Sequence, residues 1–259
     1  MKILFTVCGR AGSKGFKNKN LKTMNGAAIV YYTLAVIYLF SSKHPNYLID
    51  TAVNTDSNEL KEIIKSQRIL KEIKYVNRKL ELAGDTVPKV DVIKDTYLEM
   101  KGTSDYDLII DLDITSPLRK VSDIENAIDE FNSNSNYDLV FSVVEARRNP
   151  YFNMVERNED YYRKICSSDF TARQQAPDVY EMNASIYVYS PRFLKSVIDS
   201  PISEYRCGIS IMRDYLVLDI DSEEDFHMME FLHQYYTEND EGLKSVYQLA
   251  IRMCGSQLS

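Results

Sequence analysis

Short β-rich runs and longer stretches with helical spacing alternate along most of the chain. The β-rich runs predict strands at residues 3–8, 47–53, 73–76, 107–112, 139–143, 184–189 and 216–220. Apolar positions three and four apart predict helices at 28–40, 57–66, 90–100, 122–131, 243–253 and from 222 onwards. Residues 107–112 are apolar almost throughout, which is typical of a parallel strand buried on both faces. The alternation predicts an α/β fold with a mostly parallel sheet and helices on both faces.

Local signals mark where helices begin and where the alternation stops. Ser122 with Glu125, and Ser222 with Asp225, have the spacing of capping boxes and predict two helix starts. Residues 145–182 break the alternation, because they are rich in Arg, Asn, Asp and Tyr and contain two prolines. We therefore interpret residues 1–259 as a single domain in which 145–182 is an excursion from the sheet.

Composition excludes several classes of protein. The net charge of −7 disfavours nucleic-acid binding, so an anionic ligand needs local positive charge. The four cysteines are scattered and form no CxxC pair, which is typical of reduced thiols in a cytoplasmic protein rather than of a zinc ribbon or a disulfide framework. The longest apolar stretch, 27–40, is shorter than the ~20 residues of a membrane span, and we expect no signal peptide and no membrane association.

A glycine-rich, basic turn follows the first predicted strand. It reads CGRAGSKG over residues 8–15 and continues with Lys17, Lys19 and Asn20. Glycines allow backbone N–H groups to approach phosphate oxygens, and the cations neutralise phosphate charge. The order of glycine and lysine does not fit a P-loop, and GxxGxxG is not the dinucleotide fingerprint. The turn instead resembles the N-terminal signature of the sialic acid cytidylyltransferases.

Four further motifs resemble that family in the same order along the chain. They are RxxELAxD at 78–85, TSPLR at 115–119, RQxxPxxYxxNA at 173–184 and DID at 219–221. TSPLR comes at the carboxyl end of a buried strand, where open α/β sheets bind ligands. Asp219 and Asp221 alternate on a predicted strand and so share a face, and paired carboxylates beside phosphates suit Mg²⁺.

The resemblance implies a nucleotidyltransferase fold of the glycosyltransferase-A-like type and a role for each matched residue. The implied catalytic residues are Arg10, Lys14, Lys19 and Asp221. The implied nucleotide contacts are Gly12, Ser13, Asn20, Arg78 and Asp85. The implied sugar contacts are Asp113, Thr115, Ser116, Arg173, Gln174 and Tyr180. Asp219 and Asp221 are the implied ligands of Mg²⁺ or Mn²⁺.

The implied reaction is the transfer of CMP from CTP to the anomeric hydroxyl of a nine-carbon 2-keto-3-deoxy sugar acid, with release of pyrophosphate. The family's dimerisation element matches 145–182, so the resemblance also implies a homodimer with composite sugar pockets. Three departures concern the acceptor and the turn: Cys8-Gly9 precedes Arg10, Asp113 replaces a glutamine, and Phe152 replaces a lysine. Because the last two remove a cation and add a carboxylate, they favour a legionaminic acid type over N-acetylneuraminic acid.

Two other functions remain open from the sequence. A short-chain NADP-dependent dehydrogenase would explain the first strand and its turn, and Tyr97 and Lys101 have the spacing of its catalytic pair. That pair lies in a predicted helix too early in the chain, and TSPLR and DID would be unexplained. A non-catalytic nucleotide-sugar sensor on the same fold is the second alternative, which Lys19 and the paired aspartates disfavour.

Overall fold

A computed structural model describes residues 1–12, 15–102, 105–215 and 219–255 of the chain. The strands are β1 (Lys2–Cys8), β2 (Thr23–Met24), β3 (Ala27–Ala28), β4 (Leu48–Thr55), β5 (Ile73–Asn77), β6 (Leu108–Leu112), β7 (Leu139–Glu145), β8 (Val155–Asn158), β9 (Tyr161–Lys164), β10 (Tyr180–Tyr189) and β11 (Cys207–Ile211). The α-helices are α1 (Ile29–Lys43), α2 (Asn58–Ser66), α3 (Lys89–Met100), α4 (Val121–Ser133), α5 (Pro191–Lys195), α6 (Glu223–Asn239) and α7 (Glu241–Met253).

The main sheet has the strand order β11-β7-β10-β6-β1-β4-β5. β1 pairs in parallel with β4 and β6, β4 with β5, and β7 with β11. β10 runs antiparallel between β6 and β7. The prediction of a mostly parallel sheet is therefore confirmed.

Helices cover both faces of this sheet. Ile3, Phe5 and Val7 of β1 belong to a core that includes residues of α1, α2, α4, α6 and α7, whereas Leu4 belongs to a second core with residues of α3 and α5. This division follows from the period of two along a strand, which sends alternate side chains to opposite faces. The prediction of helices on both faces is confirmed as well.

The topology creates a crevice at the carboxyl ends of the central strands. The chain moves outward from β1 to β4 and β5, then crosses back through α3 to β6 on the other side of β1. Between β1 and β6 the strand order changes direction, and open α/β sheets bind their ligands at such a switch point. The segments after β1, β4, β5 and β6 all lie at this edge.

Three local predictions differ from the structure. The helix predicted to start at Ser122 begins at Val121, and its first turn is capped by Asp123, whose carboxylate accepts from the Lys120 backbone N–H at 2.7 Å. The capping box of Ser122 with Glu125 is thus wrong, whereas that of Ser222 with Asp225 is confirmed, with hydrogen bonds of 2.8 and 3.1 Å.

The strand predicted at 216–220 lies partly outside the described residues, and its described end, 219–220, is not in a strand. The edge strand β11 was not predicted, because Gly208 weakens the strand signal. The structure explains this glycine, since a Cβ there would lie 2.7 Å from the ring of Tyr137.

The segment between β7, which ends at Glu145, and β10, which begins at Tyr180, leaves the main sheet, whereas residues 180–182 of the predicted excursion pair with β7. It forms the two-stranded hairpin β8–β9 and a short 3₁₀ turn, Arg173–Gln175, before β10 returns to the sheet at Tyr180. Tyr161 and Tyr162 of this hairpin are exposed. The single-domain interpretation and the role of this segment in dimerisation stay predictions.

Candidate active site

A cavity of about 260 Å³ occupies the switch-point crevice. Cationic and acidic side chains from five separate segments meet there. The charged residues of its lining are Arg10, Lys19, Arg78, Asp85, Lys89, Asp113 and Asp219. Asn20 and Thr115 also line it, so the structure brings together eight of the residues predicted from the motifs. Four cations around one cavity suit a polyphosphate in a protein of negative net charge.

Two arginines of the cavity are held by neighbours that fix their direction. Arg10, just after β1, forms an ion pair with Asp85. Arg78, just after β5, donates from Nε to Asn54 Oδ1 at 2.9 Å and from a terminal nitrogen to the Asn54 carbonyl at 3.2 Å. Asn54 is fully buried at the end of β4 and also donates to Thr96 Oγ1. Both guanidinium groups are therefore oriented before any ligand binds.

The basic turn and the DID segment contact each other directly. Lys19 Nζ lies 2.9 Å from the Ile220 carbonyl oxygen and 2.9 Å from Asp221 Oδ1. Gly15 approaches the Asp221 carbonyl so closely that a Cβ would lie 2.7 Å from it. The turn and the segment are thus adjacent, as the motif roles require. Ser13 and Lys14 lie outside the described residues.

Asp219 has the features of an incomplete cation site. Its Oδ1 is buried and accepts no hydrogen bond from any residue that the structure describes. Burial and the neighbouring carboxylates of Asp113 and Asp221 raise the pKa of Asp219, because each disfavours its charged form. A divalent cation would satisfy this oxygen and relieve the repulsion, so Asp219 and Asp221 fit Mg²⁺ or Mn²⁺ as ligands.

The described side chains would supply only part of such a metal site. Within the ranges described here, no group of three or more His, Cys, Asp or Glu side chains could hold a metal ion. Two carboxylates leave most positions of an octahedral ion to water and to substrate phosphates. This is the usual coordination of Mg²⁺ in nucleotide enzymes.

Asp113, at the end of β6, is held as an ionised carboxylate. Its Oδ1 accepts from the Thr115 backbone N–H at 2.9 Å and from Thr115 Oγ1 at 2.7 Å, and its Oδ2 lies 2.5 Å from Lys89 Nζ. Burial alone would raise the pKa of Asp113, but Lys89 and Thr115 outweigh it and hold the pKa well below its usual value. Asp113 can therefore only accept hydrogen bonds from a ligand.

The arginine of TSPLR has a structural position rather than a place in the cavity. Arg119 is 1% exposed. It donates to the Ser185 carbonyl at 2.7 Å and to the Asp113 carbonyl at 3.1 Å. It therefore joins the loop after β6 to β10 and fixes the backbone that carries Asp113.

Four predicted sugar residues lie outside the central cavity. Ser116 is buried and faces a much smaller cavity beside Met212. Arg173 and Tyr180 line a separate polar cavity of about 160 Å³, where Arg173 donates to the Ala146 carbonyl at 3.0 Å. Gln174 is exposed next to Arg173. Gly12 adopts a left-handed conformation (φ 68°) in the basic turn and does not line the cavity.

Two residues of the site were missed from the sequence. Lys89 was not predicted because it lies in no motif, although it is the first residue of α3 and follows Pro88. Asn54 was missed because its role is to orient Arg78 from within the core. Its one available signal was an amide side chain directly after the strand predicted at 47–53.

Comparison with known proteins decides the family. The family model described as cytidylyltransferase matches residues 4–251. The chain belongs to the cytidylyltransferase family. It is therefore a nucleotidyltransferase, as predicted, and neither the dehydrogenase nor the sensor alternative is retained.

Curated relatives agree with this assignment. Over 232 residues the chain is 36% identical to post-translational flagellin modification protein B of Campylobacter coli, covering 89% of this chain and 94% of the relative. It matches CMP-N,N'-diacetyllegionaminic acid synthase of Campylobacter jejuni with the same identity and coverage. It is 27% identical over 256 residues to N-acylneuraminate cytidylyltransferase of Streptococcus agalactiae serotype V, covering 96% of this chain and 57% of the relative.

Solved structures share the fold. CMP:2-keto-3-deoxy-manno-octonic acid synthetase in complex with CTP has a TM-score of 0.64 at 12% identity, covering 91% of this chain and all of the other. A 4-diphosphocytidyl-2C-methyl-D-erythritol synthase from Anaerococcus prevotii has a TM-score of 0.59 at 14% identity, covering 90% and 99%. The predicted nucleotidyltransferase fold is confirmed. None of the helices in the described ranges is long and apolar enough to cross a membrane.

Proposed function

We propose that this cytidylyltransferase transfers CMP from CTP to the anomeric hydroxyl of an acidic nine-carbon sugar of the legionaminic or sialic acid type, with release of pyrophosphate. The observation that carries the proposal is the cavity in which Arg10, Lys19 and Arg78 surround the space beside Asp219. The name of the 36%-identical relative from Campylobacter jejuni supports a diacetylated legionaminic acid as the acceptor.

The residues of the cavity have separate roles in this reaction. Phosphoryl transfer depends mainly on positioning and charge neutralisation. Arg10, preset by Asp85, and Lys19, preset by Asp221, stabilise the charge that develops on the leaving pyrophosphate. Arg78 and Asn20 hold the nucleotide against the end of β1. Asp113 accepts a hydrogen bond from an O–H or N–H of the acceptor sugar.

Mg²⁺ or Mn²⁺ completes the proposed site. Asp219 and Asp221 would hold the ion, which would neutralise phosphate charge and act as a Lewis acid. The unpaired, buried Oδ1 of Asp219 supports this assignment.

We further propose that the protein is a cytoplasmic homodimer with composite sugar pockets. The exposed aromatic residues of the β8–β9 hairpin, Tyr161 and Tyr162, support an interface there. Arg173 and Tyr180 line a cavity separate from the central cavity of their own chain. In the proposed dimer, these two residues contact the acceptor sugar that is bound to the partner subunit. Sedimentation equilibrium tests the dimer, and a monomer at micromolar concentration would exclude it.

The test of the reaction is pyrophosphate release with CTP, Mg²⁺ and a panel of nine-carbon sugar acids. The panel contains N,N'-diacetyllegionaminic acid and N-acetylneuraminic acid. We expect release with CTP to exceed that with other nucleoside triphosphates, and to be fastest with the diacetylated acid. Binding of CTP without pyrophosphate release for any acid in the panel would refute the proposed transfer.

A further inference from the structure

Lys89 lies where two cavities meet. It lines the 260 Å³ cavity of the nucleotide site and also a second cavity of about 560 Å³ on its other side. Tyr187 and Tyr189 of β10 and residues 198–202 line the second cavity. Its lining is largely apolar and includes Ile198 and Ile202, and the acidic residues Asp91 and Asp199 also belong to it. Among the described residues, Lys89 is the one that the linings of the two cavities share.

The ammonium group of Lys89 is paired with two carboxylates at this junction and offsets one of their two charges. Its Nζ lies 2.7 Å from Asp111 Oδ2 and 2.5 Å from Asp113 Oδ2. Asp111 is fully buried in β6, where its other oxygen accepts from Thr6 Oγ1 at 2.7 Å. The Lys89 side chain is 34% exposed, and this exposed part faces the cavities. Burial alone would lower the pKa of Lys89, but Asp111 and Asp113 outweigh it and hold the pKa well above its ordinary value.

An anionic acceptor meets an electrostatic obstacle here. The lining of the nucleotide cavity includes the carboxylates of Asp113 and Asp219, and the buried carboxylate of Asp111 lies beside Lys89. Two like unit charges about 6 Å apart repel by an amount equivalent to roughly a hundredfold in binding, at an effective dielectric constant of ~20. Of the other cations in the nucleotide cavity, Arg10 and Lys19 are paired with the carboxylates of Asp85 and Asp221, and Arg78 is held by Asn54. Lys89 is the cation that faces both cavities in the described part of the chain.

We propose that Lys89 is a positioning and specificity-determining residue for the acceptor: by offsetting one of the two negative charges of Asp111 and Asp113 beside both cavities, it lowers the repulsion that an anionic sugar meets in the second cavity and orients the reacting end of the sugar towards the nucleotide. This inference rests on the proposed function. The apolar lining of the second cavity favours acceptors that carry acyl or deoxy groups, because hydroxyl groups gain little from contact with Ile198 and Ile202. The substrate class is therefore an acidic sugar with apolar substituents.

The test compares the acid form of the acceptor with its methyl ester in wild type and in Lys89→Met. Met keeps the length of the side chain and removes the charge. We expect the KM of the acid to rise about tenfold or more, the KM of the ester to change less than threefold, and the Kd of CTP measured by calorimetry to change less than threefold. Lys89→Arg restores the charge and is expected to recover most of the discrimination.

Lys120→Met is the matched control. Like Lys89 at the first residue of α3, Lys120 lies at a helix start, directly before α4. It forms a part-buried ion pair with Asp240 at 2.9 Å but lines neither cavity. We expect its acid-to-ester KM ratio to equal that of wild type. If Lys89→Met does not fold, as judged by thermal unfolding, Lys89→Gln takes its place in the same comparison.

The outcomes separate this inference from the proposed function. A wild-type protein that binds CTP but forms no product with any sugar acid refutes the proposed function. A wild type that transfers CMP, with a Lys89→Met variant that keeps the same acid-to-ester ratio, refutes this inference alone. Equal rises in the KM of the acid, the KM of the ester and the Kd of CTP would show a merely structural role and would also overturn it.

Discussion

Gly15→Ala tests the contact between the basic turn and the DID segment. A Cβ at this position would lie 2.7 Å from the carbonyl oxygen of Asp221, where real Cβ contacts are essentially never below 3.0 Å. The atom met is backbone, so a side-chain rotation cannot remove the clash. The turn and residues 219–221 must therefore move apart by several tenths of an ångström.

The expected losses of stability and activity follow from the close contact of Gly15 with the DID segment. Overpacking of well-packed sites costs ~1–3 kcal/mol, and we expect about 1 kcal/mol for this exposed turn, or a fall of about 2–4 °C in Tm for a chain of this length. Because misplacement by ~1 Å costs on the order of a hundredfold in rate, the smaller shift here predicts roughly a tenfold loss in kcat/KM for CTP. The Mg²⁺ concentration for half-maximal activity is expected to rise severalfold, since Asp221 moves with its carbonyl.

The assay is pyrophosphate release titrated with CTP and with Mg²⁺, alongside thermal unfolding. Gly102→Ala is the control, because the same substitution there meets no atom of the described residues within 4 Å. We expect the control to match wild type in every measurement. Equal kcat/KM and equal Mg²⁺ dependence for Gly15→Ala and Gly102→Ala would refute the idea that this close approach positions the metal ligands.

Three other substitutions test separate parts of the site and its support. Asp219→Asn is expected to abolish most Mg²⁺-dependent activity, by about a hundredfold or more, without loss of stability to urea, because it removes a repulsion with Asp113; a large loss of stability would contradict this. Arg119→Met leaves buried carbonyl and hydroxyl groups without donors and is expected to lower the free energy of unfolding by at least about 3 kcal/mol in urea titrations; a loss below about 1 kcal/mol would contradict it. Burial lowers the pKa of His233 to about 4. As the pH falls below 6.5, the unfolded chain therefore binds a proton at this residue before the folded protein does. The free energy of unfolding is thus unaffected by this group above pH 6.5 and declines towards pH 4. His233→Phe is expected to remove about 3 kcal/mol of this pH dependence, measured as the difference between urea titrations of wild type and variant at pH 7 and pH 4, and parallel pH profiles for the two proteins would refute the assignment.

Most of the fold could be predicted from the sequence because its signals are local. A period of two in β1 and helical spacing in the following segments are properties of neighbouring residues, and Ser222 with Asp225 caps α6 as its spacing predicts. Lys120 shows the limit of such signals. Its side chain is paired with Asp240, which is distant in the sequence. Helix α4 begins directly after Lys120 at Val121, whereas the capping-box spacing predicted a start at Ser122.

The sequence by itself determined that a cationic turn and a TSPLR turn follow two buried strands. Since parallel strands end at one edge of a sheet, this placed Arg10 and Asp113 at the same edge. Asp219 lines the same cavity, although 219–220 are not in the strand that the sequence predicted. Only the tertiary structure decided which charges neutralise each other. Lys89 meets Asp113, 24 residues away on another element, through the crossing of α3 over the sheet, and no motif records a contact that depends on that crossing. Electrostatic pairing depends on distance in space, whereas a motif records only distance along the chain.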